Sequence, residues 1–212
     1  MTPPGGRGNL RSVVTISPAP VPFLKRAVDA AVVVDSRNLR GQYGDVFGQP
    51  RRSSVAGIIT MLAAYGFNVT DVWVGVATNG NTNGSAYFTK SLKENREYAA
   101  DVVSHPDGHV LEGRLKEQNT RTGKVLEEKL VDVLCAIQVA RLAHQIKDKA
   151  RQGVIVVLSE DMDLIPAYEF ARDLGVTVYA ASNDIVDARA QHSKWLLLTQ
   201  AGLADAGGRV RP

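Results

Sequence analysis

The stretch VIVVLSEDMDLIPAYEFARDLGVTVYAA, Val154 to Ala181, sets the architecture of the chain. Five apolar residues, Val154–Leu158, read as a strand buried on both faces. Ser159, Glu160, Asp161 and Asp163 follow at once. A helical pattern then runs to Leu174, closed by Gly175, and Val176–Ala181 reads as a second strand. A buried strand, an acidic turn, a helix and another strand form one βαβ unit, and such units build parallel sheets.

The same alternation extends upstream. Ala30–Val34 is a short apolar strand, and Val69–Val76 a β-rich one. Ser53 or Ser54 caps a helix to about Tyr65, which Gly66 stops. Residues 80–84 (GNTNG) form a loop, Ser85–Tyr98 a helix and Ala100–Ser104 a strand. His109–Gln118 and Lys124–Val131 flank Thr-Arg-Thr-Gly and suggest a β-hairpin insertion. Asp132–Lys149 is the strongest helical pattern, with Val133, Ile137, Ala140, His144 and Lys147 on one face. Asp184–His192 reads as a short helix and Trp195–Leu198 as a last strand. The expected fold is a three-layer, Rossmann-like α/β domain with a mainly parallel sheet over residues 24–200. Residues 1–23 are expected to be mostly disordered and 201–212 a flexible tail.

Composition agrees with one ordinary globular domain. The chain has 212 residues, 44% of them hydrophobic and 22% charged, with a formal net charge of +3. That charge permits a nucleic-acid partner without requiring one. The single cysteine, Cys135, excludes an internal disulfide, and with four scattered histidines it excludes a cysteine-rich zinc site. No apolar run reaches the length of a membrane span, and the N-terminus lacks signal-peptide order, so a cytoplasmic protein is expected.

In open α/β sheets, ligands bind beyond the carboxyl ends of the strands. Asp35 follows the first strand, Asp161 follows Val154–Leu158, and Asp132 opens the long helix. All three are expected at that edge. Clustered carboxylates repel, so they must take up protons or hold a cation, and an all-oxygen donor set selects Mg²⁺ or Mn²⁺. Each acid also has a simpler use as a turn or capping residue. Pro166 belongs in a first helical turn, which puts the cap near Met162 or Asp163 and leaves Asp161 freer to face a cleft.

Around these acids, Arg37 and Arg40 are the cations best placed for phosphates, with Arg51, Arg52, Lys90, Lys93 and Arg96 further out. Tyr43 and Phe47 could stack on unpaired bases or fill the core. No histidine is given a role. No Gly-rich phosphate loop is present, which weakens a nucleotide-binding reading.

Three stretches resemble those of NYN domains, a branch of the PIN-like ribonuclease superfamily. They are Asp35-Ser36-Arg37-Asn38 after an apolar strand, Glu128-Lys129-Leu130-Val131-Asp132-Val133, and Ser159-Glu160-Asp161-Met162-Asp163-Leu164. They occur in the family's order and span about residues 30–198. The resemblance implies a metal-dependent ribonuclease. Asp35, Asp132 and Asp161 would hold Mg²⁺ or Mn²⁺, with Asp163 as a secondary catalytic acid. Asn38, Arg37, Arg40 and Ser159 would meet single-stranded or structured RNA. Leu130 stands where relatives carry Gly, Glu160 where they carry a small residue, and Gln138 where many carry a further Asp. The alternative is an RNA-binding or assembly module that keeps the fold without activity. The hairpin also offers an edge for pairing in a homodimer.

Overall fold

The computed structural model describes residues 27–47, 51–81, 84–182 and 194–197. The expected tails, the helix at 184–192 and part of the 80–84 loop lie outside these residues.

Seven strands form one sheet in the order β4-β3-β2-β1-β5-β6-β7. They are β1 (Val28–Asp35), β2 (Phe67–Asn79), β3 (Gly108–Thr120), β4 (Gly123–Lys129), β5 (Val154–Leu158), β6 (Val178–Ser182) and β7 (Lys194–Leu197). All neighbours pair in parallel except β3 and β4. The helices are α1 (Ser36–Phe47), α2 (Val55–Ala64), α3 (Ala86–Val103), α4 (Val131–Lys147) and α5 (Ile165–Asp173). Helices cover both faces, so this is a three-layer α/β fold.

The layers follow from strand alternation. Val32 and Val34 of β1, Val72, Val74 and Val76 of β2, and Val156 and Leu158 of β5 pack under Leu39, Tyr43, Ile58, Met61 and Leu62 of α1 and α2. Their neighbours Ala31, Val33, Ile155 and Val157 pack under Val131, Cys135, Val139, Leu142, Tyr168 and Ala171 of α4 and α5. α3 bridges the two cores, with Phe88 and Leu92 in the second and Tyr98 and Val102 in the first. At the opposite end of the sheet from the acids, Arg151 pairs with the buried Asp71, which also accepts from the Trp73 indole.

Several sequence expectations change. The segment after Asp35, to which the sequence pattern assigned no element, is the helix α1. Tyr43 is fully buried, accepts a 3.0 Å hydrogen bond from Ser53 Oγ and stacks on Phe47, so these rings fill the core. No strand forms at Ala100–Ser104; α3 runs on to Val103 because Tyr98 and Val102 keep a helical stripe in the core. Local β propensity yields to that burial. The predicted hairpin forms, with Thr120 paired to Gly123, but it is no insertion: β3 pairs along β2 and β4 forms the sheet edge. The buried face of α4 is Val131, Cys135, Gln138, Val139 and Leu142, while Val133 and Ile137 are exposed. Two overlapping apolar stripes wind round this helix, and the sequence pattern favoured the outer one. Among the described residues, no helix is long and apolar enough to cross a membrane.

Candidate functional site

Numbering only the parallel strands in chain order, the sheet runs 3-2-1-4-5-6, and its direction of growth reverses between β1 and β5. The helices after β1 and β5 depart to opposite faces there, leaving a crevice at the carboxyl ends. A cleft of about 390 Å³ lies at this edge, lined by Asp35, Arg37, Glu127, Glu128, Lys129, Leu130, Val131, Asp132, Val133 and Asp161.

Asp35 ends β1 and caps α1. Its Oδ1 accepts from the backbone N–H groups of Arg37 (3.1 Å) and Asn38 (3.0 Å). Burial holds its carboxyl above the usual range; the two N–H groups oppose this, and the charges of Asp161 and Asp132 reinforce it. Asp161 and Asp132, remote in sequence, line the same cleft as Asp35.

Asp161 follows β5 and combines two jobs. Its Oδ1 accepts from the Asp163 N–H at 2.9 Å, capping the 3-10 turn Met162–Leu164, yet the residue also lines the cleft. The cap expected at Met162 or Asp163 thus belongs to Asp161. Asp163 is exposed and does not line the cleft, so it is not placed among these acids. Ser159 is buried, and its Oγ accepts from the Asp161 N–H at 3.1 Å. Asn38 Oδ1 accepts from Glu160 N–H (2.7 Å) and Gln42 Nε2 (3.1 Å), tying α1 to the loop after β5. Both residues hold the acidic loop in place.

Asp132 lies in the first turn of α4. That turn reaches the sheet because Gly75 of β2 has no side chain. A Cβ there would lie 2.8 Å from both Cys135 Sγ and Val131 Cγ1. Gly75 pairs with Asp35, and Cys135 donates to Val34 O at 3.8 Å, so the helix end and the end of β1 are in register.

Leu130, just before α4, has φ 71° and ψ −6°. This left-handed conformation costs an L-residue about 1–2 kcal/mol. Glycine adopts this conformation without that cost, yet this chain keeps a leucine there, 54% exposed at the cleft. Leu130→Gly should stabilise the fold by about 1 kcal/mol after the added freedom of the unfolded glycine is deducted, measured by urea unfolding.

The cations divide sharply. Arg37 is exposed and lines the cleft. Arg40 is exposed but does not line it. Arg52 is committed to Glu94 O and Asn95 Oδ1 and lies over the Tyr98 ring, and Arg51 lies over Phe47. Arg96 donates to Thr78 O at 3.0 Å, and Lys90 and Lys93 face Glu94 and Glu97.

Glu128 is a cleft carboxylate to which sequence reasoning gave no role. It stands on β4 opposite Leu115, on the face that carries Leu126 into the core. The detectable signal was a charge at the inward position of a strand with period-two alternation.

The fold has a counterpart of known structure. A protein of unknown function from Vibrio parahaemolyticus superposes with a TM-score of 0.51 at 9% identity, over 84% of this chain and 96% of that one. This likeness is one of fold. No protein-family model and no curated protein matches the sequence.

The acids share a cleft without forming a ready cage. Among the described residues, no group of three or more His, Cys, Asp or Glu side chains is disposed to hold a metal ion. The three carboxylates expected from sequence line one cleft without forming such a group. Asp35 and Asp161 each commit one oxygen to backbone N–H groups.

The raised Asp35 carboxyl has a consequence for stability. The folded chain holds that proton more tightly than the unfolded chain does, so this contribution to stability falls as pH rises from 3.8 through the folded value. Asp35→Asn keeps a side-chain oxygen for the cap. It should raise the melting temperature at pH 7 to 8, with the gain fading near pH 4, as thermal scans across pH would show.

Proposed function

We propose that this chain is a metal-dependent ribonuclease of the NYN type within the PIN-like superfamily, hydrolysing phosphodiester bonds of single-stranded or structured RNA. The observation that carries this reading is the meeting of Asp35, Asp132 and Asp161, far apart in sequence, on one cleft at the sheet's switch point. The motif order and the doubly wound sheet support it.

The donor set fits a hard divalent cation in chemistry, because every candidate is an oxygen. No ready all-protein cage is present among the described residues. Mg²⁺ does not need one: it is commonly held by one or two carboxylates, with waters and substrate phosphates filling the other positions. Asp161 and Asp132, helped by Asp35, would hold Mg²⁺ or Mn²⁺ in that manner. A bound ion would supply positive charge at the scissile phosphate and acidify a water there.

The chain's own groups would do the rest. Arg37, exposed at the cleft, would meet a phosphate and offset the repulsion between RNA and the acids. Asn38 and Ser159 would fix the Asp161 loop, through Glu160 N–H and Asp161 N–H, against the end of β1. The buried, reduced Cys135 suits a cytoplasmic enzyme, and the β4 edge is where two copies would pair in a homodimer.

A second reading is an RNA-binding module without activity. It is favoured by the lack of a ready metal cage among the described residues and by Gln138, buried on α4 where the NYN family often carries an Asp. Incubating the purified chain with end-labelled RNA separates the two. Products that appear with Mg²⁺ or Mn²⁺ and vanish with EDTA support the nuclease. RNA retention without products at every metal concentration supports the binding module.

A further inference from the structure

We infer that Glu128, on the edge strand β4, is the proton acceptor of the cleft, taking a proton from the water that attacks the phosphodiester. The inference rests on the ribonuclease reading and adds to it a residue outside the three acids.

Its placement is the first argument. Directly opposed residues of an antiparallel pair share a sheet face. Glu128 opposes Leu115, which is buried in the core under α4, and Leu126, two residues back on the same face, packs into that core. The next inward position should be apolar by the same alternation. A carboxylate occupies it instead, in the wall of the cleft beside Asp132 and Asp35.

Its surroundings are the second argument. Glu128 Oε2 is enclosed and makes no hydrogen bond. Burial pushes the carboxyl above its usual range, opposed by the charges of Arg37 and Arg52 and by the Asn95 amide, and reinforced by the charge of Asp35. Asn95 and Arg52 are themselves fixed, Asn95 by donating to Ala77 O at 2.8 Å and Arg52 by donating to Glu94 O at 2.8 Å. The fold thus holds a partly desolvated carboxylate, with one oxygen lacking a donor, in the cleft wall that Arg37 also lines. A group left in this state weakens the fold, which is typical of residues kept for function.

The chemistry balances without a further reactant. The water oxygen forms the new bond to phosphorus, and the ester P–O bond breaks. One water proton passes to the Glu128 carboxylate and then to solvent. The departing oxygen takes its proton from solvent. A carboxyl raised by burial is a stronger base than an exposed one.

Glu128→Gln tests this in the intact chain, with end-labelled RNA and Mn²⁺ across pH 5 to 9 and thermal unfolding in parallel. The expected result is cleavage reduced about 10²–10⁴-fold, loss of the acidic limb of the kcat/KM profile, and a melting temperature no lower than that of the unmodified chain. A purely structural Glu128 predicts the reverse: a lower melting temperature with an unchanged pH profile. Equal cleavage with the same profile in both proteins would overturn the role of Glu128 alone. No cleavage by the unmodified chain at any Mn²⁺ concentration would overturn the ribonuclease reading and this role together.

Discussion

On the ribonuclease reading proposed above, Asp161→Asn and Asp132→Asn should each cut RNA cleavage by about 10²–10³-fold while leaving a folded protein. The two substitutions act through different local structures. Asp161 accepts from Asp163 N–H through Oδ1, and an Asn side chain can keep that cap. What disappears is the negative charge facing Asp35. Asp132 sits in the first turn of α4, where a carboxylate also interacts well with the helix N-terminus, so its loss should cost about 0.3–1 kcal/mol of stability as well. Single-turnover cleavage at matched Mn²⁺, with circular dichroism to check the fold, separates charge loss from unfolding. Wild-type rates in either variant would remove that acid from the mechanism. Asp163→Asn should differ clearly. The side chain is exposed and does not line the cleft, so cleavage should change little.

Gly75→Val should have the largest effect on stability. Even a lone Cβ would lie 2.8 Å from Cys135 Sγ and from Val131 Cγ1, both buried on α4. Valine adds two methyl groups to that crowding. The end of α4 must lift from β2, and Val131 has little room to retreat, because its other methyl group faces Gly113 at 2.5 Å from where a Cβ would stand. Overpacking of this kind costs about 3 kcal/mol, roughly 6–12 °C of melting temperature for a chain of this size. Asp132 rides on the same turn, so cleavage should fall together with stability. Adding Cys135→Ala should recover part of both, since it clears one of the two contacts. A Gly75→Val protein with unchanged melting temperature would mean that α4 is not seated on β2 as described.

The centre of the sheet was legible from the chain because β1 and β5 carry continuous apolar runs. Val154–Leu158 and Ala30–Val34 can be little else when buried on both faces. The cleft acids were legible because each directly follows a strand or opens a helix, and topology then carries them to one edge. Other features depend on tertiary context. The extension of α3 through Ala100–Val103 is decided by Tyr98 and Val102 reaching the core, which local propensity does not report. α4 has two apolar stripes, and only the sheet selects the one with Val131 and Cys135. The capping role of Asp161 was assigned to its neighbours because the 3-10 turn before α5 starts one residue earlier than Pro166 suggests. Glu128 was passed over because a charge in a hairpin normally reads as solvated. Its meaning emerges only when Leu115 and Leu126 fix which way that strand faces.

The central claim is that side chains from β1, the start of α4 and the loop after β5 act together as one cation site. Calorimetric titration of the intact chain with Mn²⁺, compared with Asp35→Asn, Asp132→Asn and Asp161→Asn, tests it most directly. The account predicts saturable binding of one ion, weakened at least about 10-fold by each substitution. Absence of binding, or binding that all three substitutions leave unchanged, would contradict it.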